Sequence, residues 1–185
     1  VRDELVKMLD TEQIAQVLVD LASDDALDII EDLEATERRD VLAAIPAEQR
    51  LLHEESLTYP EDSAGRLMRR DVVAVPSIWT VGDAIDYMRS DSVLPGDFYN
   101  LVVVGPTHKP LGTVPLSRLL QSNRPIKIID IMGEEMKILP VTMDQEDVAF
   151  LFRQYGLVEA PVVDEAERLV GIITVDDVVH VMEEE

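Results

Sequence analysis

Carboxylates are the groups through which this sequence could do chemistry. Asp24 and Asp28 stand four residues apart, which puts both on one helix face about one turn apart. Like charges at that spacing cost an isolated helix a few tenths of a kcal/mol, and a divalent cation or a basic partner reverses the cost. Asp24 and Asp25 also suit the positive end of a helix, which requires no ligand. A second constellation is Thr174-x-x-Asp177, with Asp176 beside it. It reads as a capping-box-like start of the last helix. Catalytic arrangements are missing. His53, His108 and His180 fall in three different elements, and no HExxH, CxxC, GxSxG or glycine-rich phosphate loop occurs. The chain is expected not to be an enzyme.

Two unlike halves must position these groups. Between them lies Tyr59-Pro60-Glu61-Asp62-Ser63-Ala64-Gly65-Arg66-Leu67-Met68. Pro60 stops a helix, and Ser63 and Gly65 allow a change of direction, so 59–68 reads as a linker.

Residues 1–58 are acidic and repeat every twelve residues, with Leu9, Leu21, Leu33 and Ile45 in register. Thr11, Ser23 and Thr36 sit where N-caps are expected, and Pro46 where a first-turn proline is tolerated. Ile14, Val17, Leu18 and Leu21, then Ala26, Ile29, Ile30 and Leu33, fall at helical spacing. Helices of two or three turns are unstable alone, so each must bury its stripe against the next. A superhelix of short helices is expected. The polar side of its second unit carries Asp24, Asp25, Asp28, Glu31 and Asp32.

Residues 69–185 contain a duplication. Pro76, Asp83 and Arg89 match Pro140, Asp147 and Arg153 at an offset of 64, and Gly112 matches Gly171 at an offset of 59. The five extra residues of the first copy are expected in Ser90–Tyr99. Each copy reads as a lead-in strand, an amphipathic helix, two short strands around a turn, and a closing helix. The expected class is mixed α and α+β, with two βαββα repeats at 69–125 and 126–185.

Composition narrows the partners. The 185 residues carry 38 acidic and 16 basic side chains, a formal net charge of −22. Such a surface disfavours nucleic acid and anionic lipid, favours cations, and also serves solubility. There is no cysteine, so disulfide and thiol chemistry are excluded. No apolar run is long enough to span a membrane. The chain starts at Val1 and ends in Glu183-Glu184-Glu185, and a fragment of a longer protein is expected.

The junction YPEDSAGRLM, the helical repeat before it and the duplicated half ending TVDDVVHVMEEE together resemble the cytosolic region of the MgtE family of magnesium channels and transporters. There a helical N domain precedes a tandem CBS pair whose sheets fold against each other. The resemblance implies a Mg2+ sensor. Ions between acidic faces of the N and CBS domains favour a closed state, and mutual repulsion opens it when Mg2+ falls. It further implies a homodimer through the CBS domains, a membrane pore domain in the same full-length protein, and a place at the cytoplasmic face of the bacterial membrane. Carried over, the metal-ligating residues are Asp24, Asp28 and Asp177, with Gly65 offering a carbonyl. Family members often have Asp where this chain has Gly156 and His180, so ion sites toward a following helix would need Glu183, Glu184 or Glu185 instead. The helical part is shorter than the resemblance implies, as if truncated.

Gly171-Ile-Ile-Thr174-Val-Asp176-Asp177 also resembles the CBS nucleotide signature, in which the Thr and Asp contact adenosine ribose and phosphate. This implies an alternative reading, a module sensing ATP or AMP through Thr174 and Asp177. The first copy departs from the signature, with Pro115 and Arg118 at the matching places.

Overall fold

The computed structural model describes residues 8–90 and 94–184, and their side chains except those of 180 and 182–184. Four ten-residue helices open it: α1 (Thr11–Asp20), α2 (Ser23–Asp32), α3 (Ala35–Ala44) and α4 (Ala47–Ser56). Their starts are spaced by twelve residues, as the repeat predicts. Extended residues at 21, 33 and 45 break each helix from the next. The stripes Ile14/Leu18, Ala26/Ile30 and Val41/Ile45 close into one core, with α1 packed mainly on α3. Val17 and Leu21 stay largely exposed at 42% and 37%, so the stripe is narrower than its periodicity suggests.

The caps differ from expectation. Asp10, not Thr11, caps α1, in a capping box with Gln13. Ala22 and Glu34 occupy the cap positions of α2 and α3, with no side-chain cap. Pro46 is itself the cap residue of α4. Ser23 is thereby released from capping, and its hydroxyl accepts a hydrogen bond from the Arg70 N–H at 2.7 Å. Asp71 accepts the Ser23 N–H at 3.0 Å, so the second half satisfies an open donor of α2.

A short helix α5 (Ala64–Leu67) leads into the duplication. The first copy comprises β1 (Ala74–Pro76), α6 (Val81–Arg89), β2 (Asn100–Val104), β3 (Pro110–Pro115) and α7 (Leu116–Gln121). A 3-10 turn, Ile128–Asp130, opens the second, followed by β4 (Leu139–Pro140), α8 (Gln145–Tyr155), β5 (Glu159–Val163), β6 (Leu169–Thr174) and α9 (Val175–Glu184). In each sheet the lead-in strand runs parallel to the middle strand, which pairs antiparallel with the third. The buried Val runs of β2 and β5 suit strands covered on both faces. The duplication extends to irregularities. Bulges at Val103/Val104 and Val162/Val163 correspond, as do the left-handed turn residues His108 and Glu167. The two sheets meet through Val102, Val104, Leu169 and Ile172.

The stretch expected to be a linker is packed instead. Ala64 and Met68 are buried in the core of the second copy, beside Leu139, Ala160 and Ile173. The Arg69 backbone exchanges hydrogen bonds with Ile172 at 2.8 and 2.9 Å. The equivalent stretch before the second copy does the reverse, with Gly133 bridging Thr113 of the first. Each copy thus completes its fold with the segment that leads into the other. This exchange explains two glycines. A Cβ on Gly112 would lie 2.5 Å from the Gly133 oxygen, and one on Gly171 would lie 2.6 Å from the Arg69 oxygen.

Candidate functional site

The exchange places Arg69 at the meeting point of α2, β6 and α9. Its guanidinium donates to Asp177 Oδ1 at 2.7 and 3.2 Å and to Asp176 Oδ2 at 2.7 Å. It also lies 3.3 Å from Asp24 Oδ2 on α2. Thr174 fixes Asp177 from the other side, its N–H donating to Oδ2 at 2.8 Å, while its hydroxyl lies between that Oδ2 at 2.7 Å and Asp176 Oδ1 at 2.6 Å and shares its one proton between them. Three carboxylates therefore share one guanidinium at the seam between the helical domain and the duplicated half.

Burial and the nearby Asp177 charge raise the pKa of Asp24 to about 7, outweighing the opposite pull of Arg69. Its Oδ1 is buried and has no hydrogen-bond partner in the protein. Burial pulls the Arg69 pKa down, but its bond to Asp177 and the surrounding carboxylates raise it further, and it stays charged. For Asp176 the hydrogen bond from Thr174 outweighs partial burial and lowers the pKa.

Of the residues singled out in the sequence, Asp24, Thr174 and Asp177 are brought together. Asp28 lies one turn along α2, exposed. Gly65 is buried in α5, and a Cβ there would lie 2.6 Å from the Tyr59 ring, so packing accounts for this glycine. Gly156 ends α8 in the left-handed conformation at φ 59°, for which glycine is suited. The side chains of His180, Glu183 and Glu184, and Glu185 altogether, lie outside the described residues. Arg69 itself was missed, as were Arg66 and Arg70. Arg66 pairs with Glu31, and Arg70 pairs with Glu55 at 2.9 Å.

Among the described residues, no group of three or more His, Asp or Glu is arranged to hold a metal by itself. Mg2+ takes one or two carboxylates and keeps several waters, and Asp24 offers it a hard oxygen, whereas both Asp177 oxygens are already engaged by Arg69 and Thr174. The orphaned Asp24 oxygen is a hard donor still to be satisfied, and the seam holds more negative than positive charge. Beside it lies a cleft of about 620 Å³, reached by Ala22, Arg70, Val72, Phe98, Glu159 and Thr174. That size is typical of small-molecule sites.

A buried histidine, His53, stands within electrostatic reach of Asp71 and Arg70 beside the seam. It is 5% exposed on α4. Burial lowers its pKa below the usual 6.5, Asp71 opposes this, and Arg70 reinforces it. The native state holds His53 neutral, whereas the unfolded chain protonates it near pH 6.5. Its contribution to stability is present above that pH and is lost as pH falls toward the depressed native pKa. Thermal unfolding between pH 7.5 and 5.5 is expected to show an acid-side loss that His53→Gln reduces. An unchanged acid slope in the variant would assign it to other groups.

The comparisons with known proteins agree with this architecture. Residues 1–62 match the MgtE intracellular N domain family, and residues 64–123 and 128–184 each match the CBS domain family. The magnesium transporter MgtE of Bacillus subtilis is 29% identical over 160 residues, covering 86% of this chain and 36% of that protein. The one from Thermus thermophilus is 36% identical over 127 residues, covering 69% of this chain and 28% of that protein. The chain thus spans about a third of these relatives. The cytosolic domain of the Mg2+ channel MgtE, solved in complex with ATP, superposes with a TM-score of 0.88 at 30% identity, covering 97% of this chain and 74% of that one. The soluble part of a magnesium transporter also gives 0.88, at 27% identity, covering 95% and 69%. Among the described residues no helix is long and apolar enough to cross a membrane. With an MgtE intracellular N domain joined to two CBS domains, the chain belongs to the CBS-domain family and is homologous to the MgtE magnesium transporters.

Proposed function

We propose that this chain is the cytosolic Mg2+-sensing region of an MgtE-type magnesium transporter. Mg2+ bridges the N domain and the CBS pair and favours the closed state. The chain works at the cytoplasmic face of the membrane, as a CBS-mediated homodimer joined to the pore domain of its own full-length protein. It has no catalytic role. The observation that carries this reading is the seam of Asp24, Asp176 and Asp177 around Arg69, where carboxylates from the two domains outnumber their one counter-charge. A hydrated Mg2+ held by Asp24 and Asp177 supplies the missing positive charge, and Asp28 strengthens the local field. Closure then follows from the ion's preference for the docked form, in which both carboxylates face each other.

Thermal unfolding across a Mg2+ titration, at matched ionic strength, tests this. At about ten times its Kd, Mg2+ contributes roughly 1.4 kcal/mol. That corresponds to about 3–6 °C for a chain of this size. The increment is expected to vanish in Asp177→Ala. An equal increment in both proteins would remove the seam from the mechanism.

Nucleotide sensing is the second reading, favoured by the cleft that Thr174 reaches and by the relative solved with ATP. The cleft wall carries Asp20, Asp71, Asp97 and Glu159 against Arg69 and Arg70, which repels a triphosphate without a screening cation. ATP that binds only with Mg2+, and loses affinity in Thr174→Val, would favour this reading.

A further inference from the structure

Arg69 belongs to the CBS side of the seam, and so does most of what it touches. Its backbone N–H donates to the Ile172 carbonyl at 2.8 Å and its carbonyl accepts the Ile172 N–H at 2.9 Å, which ties it to β6. Its guanidinium makes three hydrogen bonds to Asp176 and Asp177 in the first turn of α9. Toward the N domain it makes one ion pair, with Asp24 Oδ2 at 3.3 Å.

Asp177 has no acceptor site to spare. A carboxylate offers about four lone-pair sites. Oδ1 takes Nε and Nη2 of Arg69, at 3.2 and 2.7 Å. Oδ2 takes the Thr174 N–H at 2.8 Å and lies 2.7 Å from its hydroxyl. The Thr174 bonds are buried, whereas those from Arg69 are only partly so, which leaves Oδ1 as the oxygen an ion can reach. Asp24 is the opposite case, since its Oδ1 is buried with no partner in the protein. The ligand on the N-domain side is open and the one on the CBS side is taken.

We propose that Arg69 is a competitor that sets how much Mg2+ the seam needs. The inference rests on the Mg2+ reading of the seam given above. When the N domain is undocked, the contact with Asp24 is gone and the bonds to Asp176 and Asp177 remain, because both partners sit on the CBS side. To reach Asp177 Oδ1 the ion displaces the guanidinium; beside an undisplaced guanidinium it meets a like charge. The apparent affinity is therefore reduced by the fraction of chains in which Asp177 is free. A guanidinium is charged at every physiological pH, so the competitor is always present. The closed state is reached only at ion concentrations that win Asp177 from Arg69. Removing a residue that merely holds the seam together would raise the Mg2+ requirement, whereas removing a competitor lowers it.

Limited proteolysis of the 185-residue chain across a Mg2+ titration, at matched ionic strength, tests this, with cleavage read between Leu57 and Ser63. The midpoint of protection is expected to fall about tenfold in Arg69→Gln, because a unit charge close to the ion is removed. Arg69→Met, which keeps the aliphatic stem, is expected to do the same. Arg69→Lys keeps the charge and is expected to stay within about threefold of the wild type. Trp79, packed against the first CBS core, reports by its fluorescence that this half is folded in each variant. An unchanged or raised midpoint in the folded Gln or Met variant would overturn the competitor. So would a fall in Arg69→Lys equal to theirs. Asp177→Ala separates this inference from the reading beneath it. Protection that ignores Mg2+ in the wild type, or follows it equally in Asp177→Ala, removes the Mg2+ reading and the competitor with it. Protection that is lost in Asp177→Ala, beside Arg69 variants with wild-type midpoints, removes the competitor alone.

Discussion

Asp24→Asn is expected to stabilise the docked N domain at pH 8 in EDTA, by about 1–3 kcal/mol, and to remove most of the response to Mg2+. Burial and the charge of Asp177 raise the Asp24 pKa to about 7, so its ionised form is the costly one. Because the native pKa lies above the unfolded value, the contribution of Asp24 is fully present below about pH 3.9. It is lost as pH rises through about 7. Asparagine keeps the shape and an oxygen for Arg69 while removing one of three like charges. It also removes the proposed ion's ligand from the N-domain side. Melting curves at pH 6 and pH 8, each with and without Mg2+, check both halves. The gain should be larger at pH 8, opposite in sign to the acid-side loss assigned to His53. A lower melting temperature at pH 8, or an unchanged Mg2+ increment, would contradict the charge balance described for the seam.

Gly171→Ala should have an effect of comparable size and opposite sign, by a steric route. Its Cβ would sit 2.6 Å from both the Arg69 carbonyl oxygen and the Met68 sulfur. The sulfur can move, but the carbonyl belongs to the bridge between Arg69 and Ile172. Relief requires the crossing segment to leave β6, and overpacking of this kind costs about 1–3 kcal/mol. Gly112→Ala is the internal control, because its Cβ meets the Gly133 oxygen at 2.5 Å in the other copy. Both variants should melt earlier. Only Gly171→Ala should also expose Tyr59–Ser63 to protease, since only that crossing segment carries Arg69. Equal exposure in the two would mean that N-domain docking does not depend on where Arg69 is held.

Much of the fold was readable because it is local and repeated. A twelve-residue period of apolar residues defines four helices whichever way they stack, and two matched blocks define two similar units. Asp24 and Asp177 were identified by resemblance, and the structure brings both to Arg69. The resemblance implies a carbonyl ligand at Gly65 and a missing carboxylate at Gly156, and the structure gives the first a packing reason and the second a left-handed turn. Their signals were ambiguous because glycine marks any close approach or left-handed turn.

The arginines were overlooked for a physical reason. The sequence has 16 basic residues among 38 acidic ones, and three of the 16 fall within 66–70. That density was visible, but a charge is normally solvated, and its partners here lie 35 to 108 residues away for Arg66 and Arg69. Only the exchange of lead-in segments makes those distances short. By itself the sequence determined the period, the duplication, the class and the excess of negative charge, because each follows from neighbouring residues or from composition. The tertiary structure alone decided that 59–68 is largely core and clasp instead of tether, and that three carboxylates converge on one guanidinium. Those outcomes depend on which buried surface each segment fills, and burial is a property of the whole assembled chain.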